Sequence, residues 1–414
     1  MPASQHPPIA AAIPPLFLGT AAFNSQYNAD PFTLPVRDIV RSFLDFAHTT
    51  TNITTSENPN TRAPIGFDTS PYYGPAELLL GRALTALQPP RTSYFLSTKA
   101  GRLSSDTFNL SPSWLRHSIH RSLRRLNTSY IDLIYIHDVE FVSREEVLSA
   151  IATLRTLRDE GKVRYIGISA FPVDVLCELA EAVLETTGEP LDAVLSYANY
   201  TVQNTRLATA GLQRLVGAGV GVVANGSLLG MGLLRKNGVP VGAMGDFHPA
   251  GEGLRRGCRE AAEMVEGRGG KLEDVAYRWA LESWADVGAV VGSGQSTEID
   301  TTTATTIETP TKARTATSGG IGISVIGVSY LAELQTIKDL YTDILAARNR
   351  DPDALARKEA NDTLAADVKK LLGERYNEVW DSPGTEFKCG EMTEEFLRSD
   401  EELWPRFFEV DQSA

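Results

Sequence analysis

Four residues of different chemistry stand close to the ends of short apolar runs in this chain. Asp68 closes Gly66-Phe67-Asp68, Lys99 closes Tyr94-Phe95-Leu96-Ser97-Thr98-Lys99, and His137 closes Ile131 to His137. Tyr73 lies in the Pro- and Gly-rich turn after Asp68. A phenol near its ordinary pKa of about 10 exchanges protons poorly at neutral pH. A buried ammonium beside it stabilises the phenolate, and a carboxylate paired with that ammonium keeps it charged and in place. Lys99 and Asp68 suit those two roles, and an imidazole N–H from His137 can orient a substrate oxygen. The set describes proton transfer at an oxygen atom.

For these groups to meet, the runs that carry them must lie side by side with their ends on one face. The chain supplies such a pattern. Leu16 to Thr20 reads as a strand and Val36 to Ala47 as a helix, with Pro35 where a first helical turn tolerates it. After Phe67-Asp68, Glu77 opens a helical spacing of Leu78, Leu79, Gly81, Ala83 and Leu84. The alternation continues with a helix from Ser113 to Leu126, a strand ending at His137, and a helix from Arg144 to Glu160. Then come a strand from Val163 to Ser169, a helix from Val173 to Thr186, a strand from Leu191 to Ser196, a helix from Asn204 to Val216 and a strand from Val220 to Asn225. Leu229 to Gly257 reads as a long loop before helical sequence over Cys258 to Ser283.

The eighth strand has two candidates, Ala289 to Gly292 and Ser324 to Gly327. The later one runs directly into Leu331, Leu334, Ile337, Leu340 and Ile344 at helical spacing, so it is the better choice. Eight strand-helix repeats specify a (β/α)8 TIM barrel with its chemistry at the C-terminal ends of the strands. Residues 1–350 form that barrel domain in this reading. The Thr-rich stretch 297–318 is an insertion too poor in large apolar groups to pack. Residues 351–414 form a C-terminal helical extension packed on the barrel.

Composition narrows the partners. A chain of 414 residues with net charge −13 repels nucleic acid and anionic membrane surfaces, which leaves a small molecule as the expected partner. Cys177, Cys258 and Cys389 are far apart and suggest neither disulfides nor zinc. The absence of a signal-like opening or a long apolar run makes cytoplasm the expected compartment. His48 and His248 lack partners at metal-ligand spacing. The glycines of Gly217 to Gly221 read as a helix end, and His117, His120, Arg121, Arg124 and Arg125 as a solvated helix face.

The segment Asp68-Thr69-Ser70-Pro71-Tyr72-Tyr73-Gly74-Pro75-Ala76-Glu77-Leu78-Leu79-Leu80-Gly81 resembles the Asp-Thr-Ala-x-x-Tyr-Gly-x-Ser-Glu-x-x-Leu-Gly signature of the aldo-keto reductases. The resemblance implies a catalytic tetrad of Asp68, Tyr73, Lys99 and His137. Within that superfamily the sugar 1-dehydrogenase branch is the nearest match, through Asn24 to Asn28, His137-Asp138-Val139-Glu140, Leu191 to Tyr197 and Asn225 to Leu234. Many other branches place a Trp after the His. The implied activity is NAD(P)-dependent oxidation of the anomeric C1–OH of a free aldose, of the D-arabinose or L-galactose kind, to the aldonolactone. The alternatives are a reductase of small, pyridoxal-like aldehydes and a non-catalytic, cofactor-sensing subunit. A monomer or weak homodimer is expected.

The same resemblance implies a cofactor site made by Gly19, Thr20, Ser169, Ser196, Gly226, Ser227, Leu229, Gly327, Ser329 and Glu333. Two departures stand out. Gly167-Ile168-Ser169-Ala170 keeps the Ser but not the Asn that hold the nicotinamide carboxamide in the family. Gly226-Ser227-Leu228-Leu229 replaces a Tyr-Ser-Pro-Leu whose ring stacks on the nicotinamide. After the last strand the first basic residue is Lys338, and Glu333 precedes it, which favours NAD over NADP unless Arg235 or Lys236 reaches the site from another loop.

Overall fold

The computed structural model describes residues 6–50, 65–104, 106–239, 248–294 and 320–381. The Thr-rich stretch, residues 51–64, Cys389 and the chain beyond 381 lie outside the described residues. Eight parallel strands close into a barrel in sequence order. They are β1 (Leu16–Gly19), β2 (Gly66–Asp68), β3 (Phe95–Ala100), β4 (Ile131–His137), β5 (Val163–Ala170), β6 (Ala193–Tyr197), β7 (Val222–Gly226) and β8 (Ile323–Gly327). The ring closes where β1 pairs with β8 through Phe17 and Val325. The later candidate is therefore the eighth strand, and the earlier one, Ala289 to Gly292, lies mostly in a 3-10 turn over Gly288–Val291. The strands are apolar on both faces, as a parallel sheet covered by helices requires.

The helices are α1 (Ile9–Ala12), α2 (Val36–Thr50), α3 (Ala76–Leu87), α4 (Pro112–Arg125), α5 (Arg144–Asp159), α6 (Val173–Thr187) and α7 (Leu212–Gly217), followed by α8 (Glu252–Glu266), α9 (Leu272–Val287), α10 (Leu331–Arg348) and α11 (Pro352–Leu372). The helical sequence over Cys258 to Ser283 forms parts of two helices, α8 and α9, parted at Gly267 to Lys271. The helix expected from Asn204 begins as a π-turn over Leu207–Gly211. α5 starts in a capping box between Ser143 and Glu146.

Side chains alternate between the barrel lumen and the helical layer. Phe17, Phe95, Leu133, Tyr135, Tyr165, Ala193, Leu195, Val222, Ala224 and Ile323 make one cluster inside the barrel. Their neighbours Leu16, Leu18, Leu96, Ile134, Ile136 and Val194 face the helices. Ile9, Ala10 and Ile13 join the inner cluster and plug the N-terminal end of the barrel. Gly66 leaves room there for the Phe17 ring, which would lie 2.3 Å from a Cβ at that position. Ser293 and Ile321 exchange backbone hydrogen bonds of 2.8 and 2.9 Å just before β8, and Gly294 N donates to Ala10 O at 2.7 Å.

α11 rests on α8, α9 and α10, with Ala365, Val368 and Leu372 among Leu254, Ala261 and Val275. The segment after α11 is tied to the β6 loop: Gln203 Nε2 donates to Arg375 O and Glu378 O, and Thr205 N donates to Asn377 Oδ1 at 2.8 Å. It carries Trp380 onto Phe171, ring on ring at 4.5 Å.

Two expectations about α4 require correction. His117, His120 and Arg124 are exposed, but Arg121 and Arg125 are buried. Arg125 Nη1 reaches Glu77 Oε2 at 3.2 Å, and Glu77 Oε1 accepts from Thr98 at 2.7 Å. Glu77 is fully buried between α3, β3 and α4, so its charge needs a cation there. Arg121 lies over the Trp114 ring.

Candidate active site

The inward parity that selects Phe95 and Tyr135 also selects Asp68, Lys99 and His137 at the C-terminal strand ends. Register places Lys99 beside Tyr135 and His137 beside Ser169. Lys99 Nζ donates to Asp68 Oδ2 at 2.6 Å and to Thr69 O at 3.1 Å, and the pair is almost wholly buried. Ser97 Oγ donates to the other oxygen, Asp68 Oδ1, at 2.8 Å. Lys99 Nζ lies 4.8 Å from the ring centre of Tyr73 and interacts with its hydroxyl. The Tyr73 and His137 rings meet edge to face at 5.6 Å. The four residues singled out by the sequence therefore form one contiguous set.

Burial dominates their titration. It pushes the Tyr73 phenol up to about 12, with Lys99 pulling down and Asp68 pushing up. The sequence expectation of a lowered phenol pKa thus holds for the direction of the Lys99 effect but not for the net value, because desolvation is the larger influence. Burial alone would lower Lys99, but Asp68 and Tyr73 hold it above its ordinary value, so it stays a cation. Burial takes His137 down to about 3 against the opposing pull of Asp138, and the imidazole is neutral. Ser70 Oγ accepts from Tyr72 N at 3.1 Å and lies 3.1 Å from His137 Nδ1. Its own proton is then free to go to Nδ1, which leaves the ring proton on Nε2.

Around this set is a cavity of about 400 Å³. On one side, Gly19, Ser169, Gly226, Ser227, Leu229 and Gly327 line it, with Tyr277, Arg235 and Tyr197. On the other, Tyr72, Arg102, Asp138, Glu140, Phe141, Phe171 and Trp380 line it. Six of the ten residues expected at a cofactor are therefore in its wall. Ser196 and Thr20 are not: both are fully buried on the outward parity, Ser196 Oγ accepting from Asn199 Nδ2 and Thr20 Oγ1 donating to Thr69 Oγ1. Ser329 and Glu333 line adjoining depressions that share Arg235 with the main cavity. Glu333 Oε2 accepts from Ser329 N at 2.7 Å, and Glu333 Oε1 stands 3.4 Å from Arg235 Nη2. Lys236 turns away to Glu266.

A nicotinamide cofactor fits these residues. Ser169 Oγ is buried without a hydrogen-bond partner in the protein. Gly327 faces inward, and a Cβ there would meet nothing within 4 Å. Among the described residues no cluster of His, Cys, Asp and Glu could hold a metal ion, and no helix is long and apolar enough to cross a membrane.

Residues that sequence reading missed occupy the opposite wall. Arg102 pairs with Asp138 and lies 4.0 Å from the Tyr72 ring centre. Asp138 has φ +51, a left-handed backbone that a non-glycine residue adopts at some strain, directly after His137. Trp380 follows α11, outside the eight strand-helix repeats.

This barrel with a Tyr-Lys-Asp-His set defines an oxidoreductase of the aldo/keto reductase type, and the comparisons agree. The aldo/keto reductase family model matches residues 15–313, so the chain belongs to the aldo/keto reductase family and is an NAD(P)-dependent oxidoreductase. It is similar to a D-arabinose 1-dehydrogenase of Saccharomyces cerevisiae, 35% identical over 376 residues, covering 90% of this chain and 94% of that one. It is also similar to an L-galactose dehydrogenase of Arabidopsis thaliana, 36% identical over 245 residues, covering 58% and 73%. A glycerol dehydrogenase structure from Gluconobacter oxydans shares the fold at TM-score 0.53 and 18% identity, covering 89% of this chain and 94% of that chain.

Proposed function

We propose that this enzyme oxidises the C1–OH of a free aldose to the aldonolactone, with NAD preferred over NADP. The observation that carries the proposal is the convergence of Tyr73, Lys99, Asp68 and His137 in one cavity whose far wall is charged as well as aromatic. Oxidation removes a hydride from C1 and a proton from its hydroxyl. A bound nicotinamide cofactor supplies the hydride acceptor, and Ser169 with the glycine strand ends Gly226 and Gly327 would hold it. Tyr73 Oη takes the proton. Lys99 Nζ favours the phenolate that accepts it, and Asp68, itself held by Ser97, keeps the ammonium in position. His137 Nε2–H orients the C1 oxygen toward Tyr73. Phe171 and Trp380 exclude water from the substrate side of the cavity. The sugar dehydrogenases of yeast and plant named above support an aldose over other alcohols.

The NAD preference rests on Glu333: Arg235 does reach the site from its own loop, but it stands 3.4 Å from the Glu333 carboxylate, which offsets its charge. An adenosine 2′-phosphate held near the N-terminus of α10 would meet the Glu333 carboxylate, which accepts from the Ser329 amide and faces Arg235. The test is initial rates with NAD and NADP against D-arabinose, L-galactose, other free pentoses and hexoses, and small aldehydes including pyridoxal. Oxidation of aldoses with NAD at least tenfold ahead of NADP in kcat/KM is expected. Activity confined to aldehyde reduction would overturn the proposed reaction.

A further inference from the structure

The wall facing the tetrad holds an unusual grouping. Arg102, Asp138 and Glu140 line the cavity between aromatic side chains. Arg102 and Asp138 neutralise each other through Asp138 Oδ2. Asp138 Oδ2 is also 3.5 Å from His137 Nε2, the ring nitrogen assigned above to the substrate oxygen. Glu140 Oε1 accepts from Phe171 N at 3.1 Å. That leaves Asp138 Oδ1 and Glu140 Oε2, both buried and without a hydrogen-bond partner in the protein. Removing carboxylate oxygens from water without a compensating donor is costly, so such atoms in a cavity wall mark a place where something else supplies donors.

We infer that Glu140, with Asp138 and Arg102, is the element that reads the hydroxyl groups of the sugar beyond C1. This rests on the aldose reading of the cavity. The chemistry matches. An aldose brings a hydroxyl donor and acceptor on each successive carbon, two hydroxyls can donate to Asp138 Oδ1 and Glu140 Oε2, and a guanidinium donates to a third. The C–H face of the sugar ring has Phe171 and Trp380 to lie against. Asp138 is held by Arg102 and by its position next to His137, so the group reading the neighbouring hydroxyl is fixed relative to the group orienting C1. A substrate without hydroxyls leaves the orphan oxygens orphaned. Sites built to hydrogen-bond a substrate hydroxyl reject the analogue lacking it far more strongly than apolar pockets reject a missing methylene. Hydrogen bonds to a charged group contribute about tenfold to a hundredfold each.

The test compares two substrate classes on the full-length enzyme: oxidation of D-arabinose and L-galactose with NAD, and reduction of butanal, which has no hydroxyls, with NADH. The variant is Glu140→Gln, which keeps shape but cannot ionise, and the assays are run at pH 9, where the Glu140 carboxyl, raised to about 8, has lost its proton. The expected result is a fall of tenfold or more in the ratio of aldose to butanal kcat/KM, carried mainly by KM for the sugar. Wild-type enzyme is run in parallel on monodeoxy pentoses, where loss of at least one hydroxyl beyond C1 lowers kcat/KM tenfold or more. That arm decides the question even if Glu140→Gln fails to fold. An unchanged ratio, or deoxy sugars as good as their parents, overturns hydroxyl reading by this wall while leaving aldose oxidation standing. A wild-type enzyme that reduces butanal but oxidises no aldose overturns the proposed reaction itself.

Discussion

Replacing Lys99 with Met separates what this residue does for the fold from what it does for proton transfer. Its ammonium sits 2.6 Å from Asp68 Oδ2, with both side chains at most 5% exposed. Removing it leaves Asp68 buried with Ser97 Oγ as its remaining side-chain donor. Breaking a buried pair by deleting one partner is destabilising by about 3–5 kcal/mol, whereas removing both charges together is close to neutral. Lys99→Met and Asp68→Asn should therefore each lower the free energy of unfolding by ~3–5 kcal/mol, and the double variant by no more than either single. The assay is equilibrium urea unfolding at pH 7 followed by tryptophan fluorescence, with the slope checked for constancy across the four proteins. Turnover should behave differently. The double variant regains stability but has no cation at Tyr73, whose phenol burial already pushes up to about 12. Its kcat should stay about 10² to 10⁴ below wild type. Additive single effects, with the double variant lower than both by their sum, would refute the coupling. Recovery of kcat in the double variant would show that Lys99 acts through the fold alone.

Tyr73→Phe should lose about 10² to 10⁴ in kcat while still binding NAD by fluorescence titration; a third of wild-type turnover would remove Tyr73 from proton transfer. Glu333→Ala frees Ser329 N and Arg235 for a 2′-phosphate and should shift the NADP to NAD ratio of kcat/KM upward by roughly 10- to 100-fold, and no shift would mean that the adenosine lies elsewhere. Burial and Asp138 raise Glu140 from 4.5 to about 8, so the folded chain keeps a proton that the unfolded chain gives up. Glu140's own contribution to stability then falls as pH rises between about 4.5 and 8, by ~1.4 kcal/mol per pH unit and ~5 kcal/mol at most, while His137, held down to about 3, acts on both proteins alike, so the melting temperature of Glu140→Gln relative to wild type should rise from pH 5 to pH 8. Replacing residues 295–319 by a four-residue turn should leave kcat unchanged and raise stability by ~1 kcal/mol in urea, because Ser293 and Ile321 already pair at its base; an insoluble product would show that the segment is needed to close β8.

The barrel was legible because strand and helix periods are strong signals when they alternate eight times, and the later eighth strand was distinguishable by the helix that follows it. Asp68, Lys99 and His137 were legible because each closes a strand on the inward parity. The same parity explains two misplacements. Thr20 and Ser196 look like strand-end hydroxyls beside a cofactor, but one residue's shift in a strand exchanges lumen for helical layer. Arg121 and Arg125 belong to a basic cluster in sequence, and what buries two of them is Glu77, 48 positions from Arg125, together with Trp114. Glu140 stood in a family-like segment, but nothing in sequence joined it to Arg102 as one wall, since their meeting depends on a left-handed Asp138. Trp380 reaches the cavity through hydrogen bonds to Gln203 and Thr205 of its segment, which no local pattern announces.

The paired bases at Ser293 and Ile321 lie at the plugged end of the barrel, with Gly294 bonded to the α1 segment, while the chemistry lies at the opposite end. Ser293 and Ile321 therefore stand together on the far side of the barrel from the substrate. A fluorophore, an affinity handle or a surface linker placed between those residues would hold the enzyme by its closed end and present the open cavity to solution, so immobilised and free protein should share the same KM.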